Sequence, residues 1–100
     1  FTSDAPETFA EPEKTVTTIR VHYDVGLGNT MYLRGAQYPL KWDSGRQMLN
    51  IASDVWIYEI ERYDKGETFE FKPLINDTRW SSGDNFTGVG GDTIDIYPTF

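Results

Sequence analysis

The 100-residue chain contains no cysteine, so a disulfide framework, a thiolate metal site and a thiol nucleophile are all closed to it. Histidine is nearly as scarce: His22 stands alone, which removes the Cys–His and paired-His arrangements used for catalysis and metal binding. No apolar run is long enough for a signal peptide or a membrane span. No stretch carries the i, i+3, i+4 stripe of an amphipathic helix, and no internal repeat is visible. Cations are also few. Nine Lys and Arg stand against sixteen Asp and Glu, a net charge of −7. That balance repels phosphate backbones and anionic lipid, so neither nucleic acid nor a membrane is an expected partner.

What the chain does have is concentrated. Aromatic residues make up 15% of a sequence that is only 38% hydrophobic, so the apolar surface available for a core sits in a few large side chains. One hundred residues form one domain, which removes roughly 60–65% of its unfolded surface from water. Residues 1–13 (FTSDAPETFAEPE) hold four acids and two of the five prolines without periodicity, the composition of a flexible acidic linker. The chain starts at Phe1 rather than methionine and is expected to be part of something longer, with one β domain over residues 14–100.

Period-two alternation begins in Thr15–Tyr23, where Thr17, Ile19, Val21 and Tyr23 share one face and Thr18, Arg20 and His22 the other. After a turn at Val25-Gly26-Leu27-Gly28-Asn29, Thr30–Gly35 reads as the partner strand of a hairpin. Further strands are expected at Gln47–Ile51, Val55–Glu61, Thr68–Ile75, around Arg79-Trp80, and at Asp92–Pro98. Pro73 removes a ladder donor, which places its strand at an edge or a bulge. Seven or eight short strands with turn signals at this spacing give an all-β fold, an Ig-like antiparallel β-sandwich.

Two of the three tryptophans sit in segments that look like loops, in Lys41-Trp42-Asp43-Ser44-Gly45 and at the end of the short strand in Arg79-Trp80-Ser81-Ser82-Gly83, whereas Trp56 lies on an alternating strand and belongs to the core. An indole among small polar residues carries a large apolar face that water does not reward. Two of them make a stacking platform for a flat, weakly polar ligand. Taken singly, each could as easily fold back and plug the end of the sandwich.

The segments Tyr32-Leu33-Arg34-Gly35, Leu40-Lys41-Trp42-Asp43, Val55-Trp56, Gly66-Glu67-Thr68-Phe69-Glu70-Phe71-Lys72, and Trp80 with Asn85 five residues on, resemble in order a starch-binding module of carbohydrate-binding module family 20 or a close relative in the same superfamily. The resemblance implies Trp42 and Trp80 as stacking indoles, Lys72 as a donor between them and Asn85 as a second polar contact. It also implies an α-1,4-glucan ligand (starch, glycogen or maltooligosaccharide), a covalently attached neighbouring domain and an extracellular setting. Two positions depart from the pattern: Pro73 follows Lys72 where an aromatic or aliphatic residue is usual, and Ser81 follows Trp80 where an acid is common.

Catalysis finds little support in these residues. Sixteen acids guarantee accidental carboxylate pairs, whereas glycoside hydrolysis needs two carboxyls at a set separation in a cleft. Asp84 and Asp92 are the only grouping that points toward calcium, without an EF-hand run, so no metal or cofactor is expected. The competing reading is an Ig-like spacer or protein-interaction domain that binds no sugar. A third is the small domain of a hydrolase that contributes contacts only beside its catalytic partner.

Overall fold

The structure, a computed structural model, describes residues 15–100; the acidic stretch 1–13 read above as a linker lies outside the described residues. Nine strands follow in chain order: β1 (Thr17–His22), β2 (Met31–Gly35), β3 (Arg46–Gln47), β4 (Leu49–Ala52), β5 (Val55–Ile60), β6 (Thr68–Ile75), β7 (Arg79–Trp80), β8 (Phe86–Val89) and β9 (Thr93–Ile96). The first sheet runs β4-β5-β1-β9, and the second runs β3-β2-β6, with β7 and β8 sharing the remaining edge of β6. All pairs are antiparallel except β1 with β9, which is parallel. This is the all-β sandwich expected from the alternation.

The core lies where the inward sets meet. Ile19 and Val21 of β1, Met31 and Leu33 of β2, Trp56 and Ile60 of β5, and Phe69 and Phe71 of β6 form one buried cluster with Ile96. Each such side chain stabilises the fold by roughly 1.5–3 kcal/mol through removal of apolar surface from water. Trp56, 6% exposed, sits inside as its strand position implied.

Four local readings are corrected. β1 and β2 are not a hairpin: β5 and β9 take both edges of β1, so the chain leaves for the other sheet. It does so through Gly26 and Gly28, both near φ +82°, with the Asn29 amide donating to the Val25 carbonyl at 2.7 Å. Gln47–Ile51 is not one strand either. It breaks at Met48, 2% exposed, whose N–H donates to Met31 O at 2.9 Å; β3 before it joins the second sheet and β4 after it the first.

The third correction concerns Pro73, which lies on an interior strand. Opposite Leu33 it belongs to a pair that needs no ladder bond, since its carbonyl points the other way and accepts from Ser81 N–H at 3.1 Å. In a strand the N and O of one residue face the same side, so the donor it lacks would have faced Ser81. There β7 ends and β8 has not begun. The fourth is β8 itself, hidden in the glycine-rich stretch 83–91. It pairs with β6 because Gly88 leaves room for its neighbours: a Cβ there would stand 2.6 Å from Phe69 Cζ and 2.7 Å from Ile94 Cδ1.

On the outer face of the first sheet, Arg20 and Asp95 are direct partners across the parallel pair. The guanidinium grips the carboxylate through Nε (2.7 Å) and Nη2 (2.9 Å), and His22 Nε2 approaches Asp95 Oδ1 at 2.8 Å. Tyr97 stacks on the His22 ring at 4.5 Å. His22, outward as its strand position implied, therefore helps to hold β9 against β1 rather than standing as an ordinary surface side chain.

Two outcomes are expected. The Arg20 hydrogen bonds, then that of His22, hold the Asp95 carboxyl well below the ordinary carboxylate range. A depressed folded-state pKa adds stability that is complete above the unfolded value of about 3.9 and is lost as pH falls below it. Thermal melts of Asp95→Asn should therefore lie below wild type at neutral pH and converge with it in acid; a gap independent of pH would refute the assignment. Gly88→Ala should lower stability by about 1–3 kcal/mol by overpacking against Phe69, seen as a lower urea midpoint at unchanged slope.

Candidate functional site

The outward set of the second sheet builds the site. Cross-strand partners share a face, so Tyr32, Leu74 and Trp80 form one row across β2, β6 and β7, and Arg34 with Lys72 forms the next. Leu74 is fully buried although it points away from the core. Its flanking aromatic partners, Tyr32 and Trp80, roof it, and it serves as their floor.

The loop 36–45 carries Trp42 to the side of Trp80. Gly35 N–H donates to Lys41 O at 3.1 Å, Ala36 N–H to Glu70 O at 3.0 Å, and Leu40 N–H to Gln37 O at 2.9 Å. Leu40 is buried beneath the loop. Tyr63, which follows β5, donates its hydroxyl to Gln37 O at 2.7 Å. Burial, then the negative charge of Glu67 and the neighbouring Tyr58, push that phenol up to about 12, so it remains a donor across the physiological range.

Trp42 and Trp80 meet with ring centroids 6.3 Å apart and planes tilted by 36°. They are 38% and 44% exposed, against 6% for Trp56. The two indoles from distant parts of the chain thus form one bent apolar surface open to water. Neither plugs the interior.

Arg34 joins them, and the sequence reading missed it. Its Nε donates to Asp77 Oδ1 at 2.9 Å, Nη2 to Asp77 O at 3.0 Å, and Nη1 to Trp42 O at 3.0 Å. Its Cζ lies 5.2 Å from the Trp80 ring centroid, within cation–π range. The other oxygen of Asp77 accepts from Gly45 N–H at 3.1 Å. Burial alone would raise the Asp77 carboxyl; the Arg34 hydrogen bond, the Gly45 amide and the Arg34 charge reverse this and hold it below its ordinary value. A Cβ on residue 45 would stand 2.3 Å from Asp77 Oδ1, so glycine is required where the loop meets the carboxylate. The only sequence signal for Arg34 was its outward position between Leu33 and Gly35 in the alternation of β2.

Lys72 and Asn85 lie one row from Leu74 and Trp80, opposite each other where the β6–β8 register is continued past Phe71 and Phe86. Lys72 Nζ donates to Gly83 O, in the loop between β7 and β8. Asn85 Nδ2 donates to Glu70 Oε1 at 3.0 Å. The structure therefore brings Trp42, Trp80 and Arg34 into contact and sets Lys72 one row away, with Asn85 level with Lys72 on the neighbouring edge. Among the described residues, no group of three or more His, Asp or Glu is placed to hold a metal ion.

No protein-family model matches the chain, and no curated protein sequence matches it. Among solved structures, its fold matches part of the glycoside hydrolase family 15 glucoamylase from Hypocrea jecorina, with a TM-score of 0.70 at 16% sequence identity. The match covers 91% of this chain and 18% of that one: the domain spans a small part of the glucoamylase, and what the two share at this identity is the fold.

Proposed function

We propose that this domain is a non-catalytic carbohydrate-binding module that holds α-1,4-glucan on the Trp42–Trp80 surface and thereby keeps a covalently attached neighbour close to starch, glycogen or maltooligosaccharide. The observation that carries the reading is the pair of exposed indoles, 6.3 Å apart and tilted by 36° on the outer face of a sheet. Pyranose rings present C–H faces that pack on aromatic surfaces and hydroxyl rims that need polar partners. A bent pair of rings suits a curved α-glucan better than a flat β-glucan.

The polar side chains fit this use. A lysine ammonium has three donors, and Gly83 takes one from Lys72. Asn85 has one amide hydrogen on Glu70 and keeps its carbonyl as an acceptor. Because Asn85 stands level with Lys72 in the β6–β8 register, both would meet the hydroxyl rim beside the stacked glucosyl units. A fold shared with a segment amounting to 18% of a glucoamylase chain supports an accessory role. Weak binding at one site gains through tethering, since the attached domain then works at raised effective concentration.

Titration of the domain with β-cyclodextrin, followed by tryptophan fluorescence, should give a saturable change. Trp42→Ala and Trp80→Ala should each weaken it about 10- to 100-fold, the equivalent of one aromatic side chain's lost burial. Linear cellohexaose should produce no comparable change. Absence of response to millimolar cyclodextrin in a folded domain would leave the spacer reading in its place.

A further inference from the structure

Two indoles contributed by residues 42 and 80 need something to fix the angle between them. Trp80 is carried by a two-residue strand, and Trp42 by an irregular loop. One side chain touches both segments. Arg34 bonds the Trp42 carbonyl, lies against the Trp80 ring, and places its two remaining bonds on Asp77, in the turn that leads into β7.

The far end of this linkage is itself held. Asn76 and Asp77 have φ of 56° and 57°, a conformation that Asn and Asp tolerate better than other side-chain-bearing residues. Asn76 is secured by accepting from Thr30 N–H at 3.0 Å and donating to Asn29 Oδ1 at 2.9 Å. Asp77 then reaches back to Gly45, three residues beyond Trp42. Trp42 is thus bracketed: its own carbonyl is bound by Arg34, and the end of its loop by the carboxylate that Arg34 grips. At 17% side-chain exposure the guanidinium is shielded from the solvent that weakens surface ion pairs.

We infer that Arg34 is the positioning residue of the platform, an arginine clamp that sets the mutual angle of Trp42 and Trp80 before any ligand arrives. Fixing the rings in advance removes the ordering that a ligand would otherwise have to impose, so more of the stacking energy appears as affinity. The planar fork is essential to this role. Lysine would retain the charge but, with its donors gathered on one nitrogen instead of a planar fork, could not span Asp77 and the Trp42 carbonyl in one plane. As an account of affinity the inference rests on the sugar-binding reading; as an account of ring geometry it does not.

The test exploits that separation. Two indoles this close couple their ultraviolet transitions, giving a paired positive and negative band in the circular dichroism of the ligand-free domain. Trp42→Phe and Trp80→Phe identify the band by abolishing it. Arg34→Met and Arg34→Lys should each cut it by more than half while a cooperative melt and the β-sheet signal persist, and should weaken β-cyclodextrin binding about tenfold. Should Arg34→Met fail to fold, Gly45→Ala provides the second test, since it displaces the Asp77 carboxylate without altering Arg34 or either ring, and the same loss is expected. A band of wild-type size in a folded Arg34→Met or Gly45→Ala variant overturns the clamp, whatever the ligand does. A band lost in those variants, from a wild type that binds no cyclodextrin, sustains the clamp and removes the sugar reading instead.

Discussion

Alternation along β6 ties the core and the candidate site to a single register. Phe69, Phe71 and Pro73 point inward and are buried, while Glu70, Lys72 and Leu74 point outward to make the polar row and the hidden leucine beside Trp80. A slip of one residue would turn Phe71 to water and Lys72 to the core at the same time. The apolar burial that holds the register therefore also decides which side chains a ligand can meet. Because β2 and β7 pair with β6 on opposite edges, Arg34 and Trp80 inherit their positions from the same strand.

Much of this was legible in the chain, for a physical reason. Burial on one face writes a period of two into the sequence, so β1, β5 and β6 can be read from Ile19, Val21, Trp56, Ile60, Phe69 and Phe71 alone. Pairing between strands leaves no such mark. The apparent hairpin of β1 and β2 failed because nothing local in Val25–Asn29 reveals that β5 and β9 already occupy both edges of β1. The break at Met48 was hidden because a buried methionine between Gln47 and Leu49 reads the same whether the chain continues in one sheet or changes to another. In β8 the informative feature was an absent side chain at Gly88, which glycine-rich turn composition concealed.

The site divides along the same line. Exposed tryptophans announce themselves by their polar neighbours, so Trp42 and Trp80 were visible in the sequence. Arg34 looked like any outward cation on a strand, since its partners at positions 42, 77 and 80 are brought near only by tertiary structure. Both outer faces of the sandwich use one device, an arginine fork on an aspartate. With Asp95 it joins two neighbouring strands, and with Asp77 it joins two connecting segments. In a chain with sixteen acids and nine cations, such forks place scarce positive charge at structural junctions.

Pro73 carries a last consequence. Opposite Ser81 a normal residue would exchange two hydrogen bonds, and proline leaves one. Beyond it the two edges fall out of step: β6 advances three residues from Leu74 to Phe71 while the opposite edge advances six from Trp80 to Phe86. The three surplus residues must leave the ladder, and the Gly83 carbonyl they carry is the one to which Lys72 donates, so the lysine is anchored by a segment that pairing has no use for.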